Sequence, residues 1–513
     1  MLSKLLSNNN LLNYLLSILI FLIFLFLIPN LGGGFTQIDF DTDTPTFANY
    51  ARNLIKLDFS ITKGLAIHAI SETGKTVIDS KTQYSWYVDH PPTLYWLIVG
   101  AMKIFGINLF SARLVSIIAS VLIAFYIFKI LKKYQYSIIF SFFLLIGTPI
   151  YIEHGLVPGY QSITLLFLTI SIYYFSKFID DETSNKKFLF LSLCFWFLSL
   201  LSDWPAYFFA IPLFVYFLKI RSKFYCAVSL LLPIITYFLL VGYDSYVVSG
   251  NFYNPIGRLI SLASSDSVQP IEITIKNVLK WFLRNYRFVL VFFLIGLYLI
   301  KKKQIKLSVG DYFFINSFII VGTLNIVIFY NWAGTHSFWS YYYLPSIVLI
   351  ASISIKILTE KMVDFKLKNL FILTPLFIIL IFSNYYNLKK LYSYKNINFD
   401  EDTKNFINYS RLNENQLLAH SEKFYWWHGH VIKWYIDKRL TFYSEKLDKK
   451  IIKDPTKYML VLRTGVFHQI DDELKKNFTK SRYLDVYFYQ LNNDFIENND
   501  GLKKLKKLFT IID

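Results

Sequence analysis

Long apolar runs recur along most of the chain and restrict its fold more than any other feature. The runs are about 16 to 22 residues long, and an apolar helix needs roughly 20 residues to cross a bilayer. They begin at 11–28 and continue to 369–385. With 54% apolar and 19% aromatic residues over 513 positions, this pattern excludes a soluble globular protein. It predicts a polytopic α-helical membrane protein.

We expect about eleven transmembrane helices or more. The first is predicted to be an uncleaved helix rather than a signal peptide, because its apolar core is long and small residues follow only at 32–34. The predicted spans are 11–29, 110–131, 136–152, 160–178, 187–202, 204–219, 224–242, 286–300, 311–330, 340–357 and 369–385.

The charges of the loops predict which way the chain crosses the bilayer. A cytoplasmic N-terminus places the lysine clusters at 129–133, 177–187, 219–223, 301–306 and 361–368 in inner loops. The first outer loop then holds most of the acidic residues, as the positive-inside rule requires. The formal net charge of +18 is therefore a topology signal, and we predict no nucleic-acid partner. The two cysteines, Cys194 and Cys226, lie in apolar runs and predict neither a disulfide nor a cysteine metal site.

The segment 91–106 is apolar but is not predicted to span the membrane. It is short, contains Lys103, and would invert every later loop if it crossed. Two prolines at its start suit the first turn of a helix that lies along the outer interface. Further short helices are expected at 46–57 and 61–71. We assign 1–386 to a transmembrane domain with a long outer loop at 30–109.

The character of the chain changes near residue 387. Apolar runs shorten to strand length at 416–419, 440–443, 458–462 and 484–490, between helical stretches at 401–410 and 422–437. About 125 residues are enough for a small domain of its own. We predict a small extracytoplasmic α/β domain over 387–513.

Acidic residues follow the first apolar run at alternate positions. Asp39, Asp41 and Asp43 precede Pro45 and a helical pattern that starts at Phe47. Such a triplet is either a solvated outer loop or a carboxylate held at a helix N-terminus against the membrane, where a general base would be useful.

A second motif, YVDHPPT, occupies 87–93 in the same outer loop. His90 stands before two prolines and is either an ordinary loop residue, a ligand of a phosphate or a partner of the acidic loop. Lys103 and Arg113 are the nearby cations. Arg113 begins a predicted span, so its alternative is a side chain that extends towards the membrane surface.

Three later outer turns carry further candidates. Glu153 and His154 are the ionisable residues of the turn at 151–161. Asp203 precedes Trp204 and Pro205, and its simplest role is to cap a helix. His336 precedes an aromatic cluster at the interface, where aromatic belts are common in any case.

From the acidic loop to Arg113, the chain resembles the first outer loop of the glycosyltransferase C superfamily. The resemblance is to the branch of protein O-mannosyltransferases and bacterial aminoarabinose transferases (ArnT-like). Asp43, with Phe47 and Ala48, stands in the family's register, but Thr44 replaces a second acid that many members have. Pro158 and Gly159 stand where relatives carry another acid.

The resemblance implies an inverting transfer of a sugar from a polyprenyl-phosphate donor to a lipid, glycan or protein hydroxyl. It implies Asp43 as general base, with Asp41 as the fallback, and His90, Lys103, Arg113 and His336 as donor-phosphate ligands. Glu153 and His154 would serve the acceptor or second loop. A divalent metal is not strictly required in such enzymes, and the sequence contains no clear metal cage. The expected location is a bacterial inner membrane, with the site on the extracytoplasmic side.

Two other classes of protein stay open. A transporter or lipid flippase would have helices broken by charge, glycine or proline at mid-membrane and internal repeats. The spans are instead continuous apolar runs with polar residues at one face, which favours chemistry at a surface. A non-enzymatic assembly protein would leave Asp43 and His90 without a role.

Overall fold

The computed structural model describes residues 9–27, 43–57, 59–70, 84–87, 90–134, 137–181, 185–249, 270–334 and 336–363, together with five strands between 417 and 490. The predicted spans before 369 fall on helices, although some of them, such as 136–152 and 204–219, are each divided into two segments. The span 369–385 lies outside the described residues. Within the described residues, six helices are long and apolar enough to cross a membrane, and one bent pair would make a seventh. The prediction of a helical, multi-pass membrane protein is therefore confirmed at this level.

Fifteen α-helices lie within the described residues. In chain order they are α1 Asn9–Leu27, α2 Asp43–Lys56, α3 Phe59–Thr62, α4 Thr93–Phe105, α5 Leu109–Leu131, α6 Ser137–Gly147, α7 Pro149–Leu156, α8 Tyr160–Asp180, α9 Lys186–Leu200, α10 Ala210–Lys219, α11 Lys223–Ser249, α12 Ile271–Lys301, α13 Val309–Ile328, α14 Tyr330–Ala333 and α15 Leu344–Val363. Three 3₁₀ segments, Lys132–Tyr134, Trp204–Phe209 and Ser337–Tyr343, extend α5, α10 and α15 at one end.

The predicted span at 136–152 is divided into α6 and α7, which meet at an angle of 72°. Pro149 is the first residue of α7 and has no N–H to donate into α6. Thr148 before it is extended (φ −90°, ψ 112°), as the proline ring requires of its predecessor. The break turns Glu153 and His154 inward, and both are buried.

The first outer loop contains more than the helices that the sequence predicts. α2 and α4 match the predicted helices at 46–57 and 91–106, and Pro92 stands at the N-cap of α4. The expected helix at 61–71 is wrong, because Ala66–Ile70 forms strand β1, which pairs antiparallel with β2, Tyr84–Tyr87. Gly64 adopts a φ of +77°, which ends the helical turn before the strand.

The core lies between the central helices α5 and α8. In α8, 72% of the 18-residue apolar stretch is buried inside the protein. In α11 the corresponding share is 22%, so α11 lies at the periphery. Small polar residues join neighbouring helices: the Ser171 hydroxyl donates to the Ser192 carbonyl oxygen at 2.8 Å, and Ser199 donates to Thr164 O at 3.1 Å. In an apolar surrounding, such bonds hold helices together where the hydrophobic effect does not.

One end of the bundle is closed by a compact ion cluster, here called the basal cluster. Lys133 Nζ lies 2.5 Å from Asp311 Oδ1 and 3.5 Å from Asp180 Oδ2. Ser308 and Asp311 form a reciprocal capping box at the start of α13. Tyr134 OH donates to the other oxygen of Asp311. The cluster therefore ties α5, α8 and α13 together at one end.

The C-terminal strands form one mixed sheet in the order β4-β3-β5-β7-β6. β3 is parallel to both β4 and β5, whereas β7 is antiparallel to β5 and β6. The four predicted strands are present, and β6 is an additional one that is too short to leave a sequence pattern. The strands are β3 Leu417–His420, β4 Leu440–Phe442, β5 Tyr458–Arg463, β6 Thr479–Lys480 and β7 Val486–Gln490. The two predicted helices of this region lie outside the described residues, so an α/β domain over 387–513 stays a prediction.

Candidate active site

The N-terminus of α2 is packed against the end of the bundle opposite the basal cluster. Asp43 is its first residue, and the ring of Phe47, one turn later, meets the Tyr160 ring edge-on at 4.9 Å. Phe47 and Tyr50 also contact Tyr95 of α4. This aromatic packing fixes the start of α2, and with it the backbone of Asp43, beside the first turn of α8. Asp41 and the Asp43 side chain lie outside the described part of the chain.

His90 lies at the elbow that leads into α4. Its imidazole stacks on Tyr160, with the ring centroids 4.3 Å apart and an interplanar angle of 15°. Pro91 and Pro92 are buried behind it, and Tyr95 OH donates to the His90 carbonyl oxygen at 3.4 Å. About 29% of the His90 side chain stays exposed. The imidazole is therefore held firmly but is accessible to a ligand.

Asp203 meets His90 from another outer turn. Its Oδ1 lies 2.9 Å from His90 Nδ1 and also accepts the backbone N–H of Trp204 at 2.9 Å. Its Oδ2 accepts the hydroxyl of Tyr342 at 3.3 Å. The predicted capping role of Asp203 is confirmed, but the same carboxylate also binds the histidine.

A second polar group lies next to the first. Glu153 Oε1 pairs with Arg284 Nη2 at 3.3 Å, and the His154 ring stacks on Tyr341 at 4.7 Å. Tyr341 and Tyr342 are consecutive, so this 3₁₀ segment contacts His154 with one ring and Asp203 with the next. The turns that hold His154 and Asp203, which the sequence analysis treated separately, therefore belong to one continuous site.

His336 is connected to this second group through Phe338. Its ring stacks on Phe338 at 5.1 Å, and Phe338 in turn meets the His154 ring edge-on at 6.3 Å. Burial lowers the pKa of His336 below its ordinary value. At neutral pH the imidazole is thus uncharged and could contact a phosphate only as a neutral donor.

α12 is kinked where it passes the site. Arg287 has φ 37° and ψ −119°, a conformation that costs a non-glycine residue free energy and persists only when its surroundings hold it. Two bonds to the 3₁₀ segment do so: Asn285 donates to Ser340 Oγ at 2.8 Å, and Tyr286 OH donates to Ser340 O at 2.6 Å. The kink keeps Arg284 within reach of Glu153.

Two of the predicted phosphate ligands are placed differently from His90. Lys103 is exposed in the last turn of α4, ten residues of helix, or about 15 Å, beyond Thr93. Arg113 is only 2% exposed near the start of α5. A side chain that extended along the membrane surface would be exposed, so Arg113 points into the protein instead. Within the described residues no group of three histidine, cysteine or acidic side chains could hold a metal ion.

Residues 89–242, which include His90, Tyr160 and Asp203, match the family model described as dolichyl-phosphate-mannose-protein mannosyltransferase. The structure of ArnT from Cupriavidus metallidurans bound to undecaprenyl phosphate matches the fold with a TM-score of 0.59, at 10% identity over 93% of this chain and 97% of that chain. Residues 89–242 are thus similar to that mannosyltransferase family, and the chain has the fold of ArnT. The apo state of the same ArnT gives a TM-score of 0.57, also at 10% identity, over 93% and 96% of the two chains. No curated protein matches the chain in sequence.

Sequence reasoning did not name Tyr160, and it named Asp203 with helix capping as the simplest role, yet both residues organise the site. Tyr160 is the ring against which both Phe47 and His90 pack, and Asp203 is the acid that binds His90. The position of Asp203 in a predicted outer turn could have indicated that it lies near His90, since the turns on one side of a bundle meet at the same end. A tyrosine at the start of an outer helix gives no comparable signal, because aromatic residues are common there.

Proposed function

We propose that this protein is a membrane glycosyltransferase that moves a sugar, with inversion, from a polyprenyl-phosphate donor to a hydroxyl group of a lipid, glycan or protein. The observation that carries the proposal is the meeting of α2 and the His90 elbow on the ring of Tyr160. It joins the helix start that bears Asp43 to a histidine that is accessible from outside. The match to an ArnT bound to undecaprenyl phosphate supports a lipid-phosphate donor.

Asp43 is the proposed general base, and Asp41 is the next candidate. The acceptor oxygen attacks the anomeric carbon from the face opposite the phosphate, and its proton passes to the carboxylate. The bond from that carbon to the phosphate oxygen breaks, and its electron pair leaves with the phosphate. A positioned base contributes about 10²–10⁴-fold to such a step.

His90 is the proposed first contact of the donor phosphate. Its ring is partly exposed at the elbow, and a hydrogen bond to a departing phosphate strengthens as negative charge develops. Arg284 has part of its charge balanced by Glu153, and Lys103 lies at the far end of α4. Among the proposed ligands His90 therefore ranks before Arg113, Lys103 and the uncharged His336. Glu153 and His154 are assigned to the acceptor side, and no metal is required.

The proposed arrangement in the membrane follows from the loop charges. With the N-terminus in the cytoplasm, the basal cluster faces inward and the His90 site faces the extracytoplasmic space. About eleven spans and an outer α/β domain complete the chain, and a bacterial inner membrane is the proposed location.

A polytopic transporter or lipid flippase is the alternative, and two observations favour it. α6 and α7 form a broken span, and α12 is kinked at Arg287. Broken helices line substrate sites in many transporters. Against it, the broken elements and the titratable groups of the site meet at one end of the bundle, which suits chemistry at a surface.

The test uses purified full-length protein in nanodiscs, a set of radiolabelled polyprenyl-phosphate sugars and a membrane fraction as acceptor. Wild-type protein is expected to transfer label, and Asp43→Asn is expected to lose about 10²–10⁴-fold in rate without losing thermal stability. Asp41→Asn is the matched control and should keep most of the rate.

Each other result has a definite meaning. If Asp41→Asn loses the rate and Asp43→Asn keeps it, the base is Asp41. If wild-type protein transfers none of the sugars but moves labelled lipid across a vesicle membrane, the transporter replaces the enzyme.

A further inference from the structure

We infer that Asp203 is a positioning residue for His90: it holds the imidazole in the tautomer that carries its proton on Nδ1 and directs Nε2 to the donor phosphate. The inference rests on the proposed function for the role of the phosphate, but the state of the imidazole is a property of the protein alone. Its basis is the bond between Asp203 Oδ1 and His90 Nδ1, which joins two outer turns 113 residues apart.

The hydrogen bonds around Asp203 fix the direction of this bond. Trp204 N–H and the Tyr342 hydroxyl both donate to the carboxylate, at 2.9 Å and 3.3 Å. An ionised carboxylate only accepts hydrogen bonds, and its partners here are a backbone N–H and a phenol. The third partner, His90 Nδ1, must then carry the proton. The chemistry of His90 towards a substrate therefore goes through Nε2.

The surroundings also fix the plane of the imidazole. Tyr160 lies parallel to the ring at 4.3 Å, and the Asp203 side chain is only 6% exposed, against 29% for His90. A buried carboxylate at one edge and an aromatic ring on one face leave the imidazole a single orientation. Nε2 lies across the ring from the bond to Asp203.

This arrangement has a chemical consequence for sugar transfer. The carboxylate stabilises a positive charge on the ring, so His90 takes up a second proton from the solvent, on Nε2, when the anionic donor binds. That N–H then donates to the phosphate as it departs. An imidazole in the other tautomer would turn its acceptor nitrogen towards Asp203, and two acceptors would then face each other. Capping of the 3₁₀ segment accounts for the bond to Trp204 but not for the bond to His90.

The variant that separates the two roles of Asp203 is Asp203→Asn. Asparagine caps helices about as well as aspartate, so the fold is expected to stay intact. The amide has no charge and has N–H groups of its own, so the proton of His90 is no longer fixed on Nδ1. Tyr342→Phe is the matched control, because it removes a bond to Oδ2 and leaves the bond between Oδ1 and His90 in place.

The first readout is nitrogen NMR of full-length protein labelled with ¹⁵N-histidine, with the His90 signal identified by its loss in His90→Gln. Wild-type protein and Tyr342→Phe should show a His90 ring with its proton on Nδ1, and Asp203→Asn should lose that preference. A wild-type ring with its proton on Nε2 alone, or a signal unchanged in Asp203→Asn, overturns the inference. This readout needs no activity, so it decides the point even if no donor sugar is transferred.

The second readout is kinetic. Asp203→Asn should lower kcat/KM for transfer by about 10- to 100-fold, as the loss of an orienting partner commonly does. In a His90→Gln background the same change should cost almost nothing further, because its effect passes through His90. If the two losses multiply instead, Asp203 acts independently of His90 and the inference is wrong. A wild-type protein without transfer activity refutes the proposed function alone.

Discussion

The two ends of the helical bundle use the same chemical groups in opposite ways. At the basal cluster, Lys133 is within ion-pair distance of both Asp180 and Asp311, which also bind hydroxyl and backbone N–H groups of neighbouring helices. At the other end, Asp203 binds His90, and the imidazole remains partly exposed. At the basal cluster the charged groups bind each other. At the other end, Asp203 orients a histidine whose side chain is still partly exposed.

The difference shows what distinguishes a structural ion cluster from a reactive one. Charges that satisfy each other across several helices stabilise an arrangement but have little capacity left for a ligand. A histidine that is bound at one nitrogen, stacked on one face and still partly exposed is instead prepared to bind. Substitutions at the two ends should therefore have separable effects on activity and on stability.

The largest expected effect is the loss of activity in His90→Gln. Removing the imidazole should lower kcat/KM for sugar transfer by about 10²–10³-fold, because a donor aimed at the leaving phosphate is lost. The thermal unfolding midpoint should change little, since the ring is partly exposed. Transfer assays and thermal unfolding in the same nanodiscs measure both. A variant that unfolds early would contradict the assignment of this end to chemistry.

Asp311→Ala should have the opposite result. Its loss removes the capping box and the bonds from Tyr134 and Lys133, and we expect a destabilisation of about 2 kcal/mol. The expected loss of stability is moderate because Lys133 is 42% exposed and is hydrated by water once its partner is gone. Transfer per folded molecule should fall only a few-fold. Glu360→Gln, which breaks an i,i+4 pair whose carboxylate is 55% exposed, is the control and should cost at most about 0.5 kcal/mol.

A smaller effect is expected from Gly310→Ala at the basal cluster. The added Cβ would lie 2.3 Å from the Ser176 carbonyl oxygen and 2.8 Å from the Asp180 carboxylate, so a close helix contact must open. We expect a net loss of about 1–2 kcal/mol in thermal or denaturant unfolding. Gly100→Ala is the matched control, because nothing lies within 4 Å of its Cβ, and it should stabilise α4 by up to about 1 kcal/mol. Equal effects at both positions would show that the contact at Gly310 is loose.

The smallest expected effect concerns His336 and acidity. Burial lowers the pKa of this imidazole in the folded state, so the unfolded chain takes up its proton first as the pH falls. Its contribution to stability is present above the ordinary histidine pKa and is lost as the pH falls through that value towards the lowered one. Between about pH 7.5 and about pH 5, the unfolding midpoint of wild type should fall more than that of His336→Gln. Parallel curves would show that the ring is not desolvated.

Much of the bundle could be predicted from the sequence, because membrane helices are marked by apolar length alone. Where the structure differs from the predicted elements, the cause is a single residue. Pro149 divides a predicted span, and Gly64 with its positive φ precedes a strand where a helix was expected. The residues of the site were partly recognised from the motif at 87–93, but their partners were not.

The pairing of His90 with Asp203 shows why the partners were missed. The two residues are far apart in the chain and meet only because two outer turns fold over the start of α8. No periodicity connects them, and a capping role accounts for Asp203 in the sequence equally well. Glu153 and Arg284 are likewise far apart in the chain, and their pairing depends on the kink at Arg287.

Helix α8 connects the basal cluster with the His90 site, since Tyr160 is its first residue and Asp180 its last. A helix of this length is about 30 Å long, so a tilt of about 1° at the basal cluster displaces Tyr160 by about 0.5 Å. That is roughly the tolerance within which catalytic groups must be held. By fixing the tilt of α8, the basal cluster thus helps to hold Tyr160 in place at the other end of the helix.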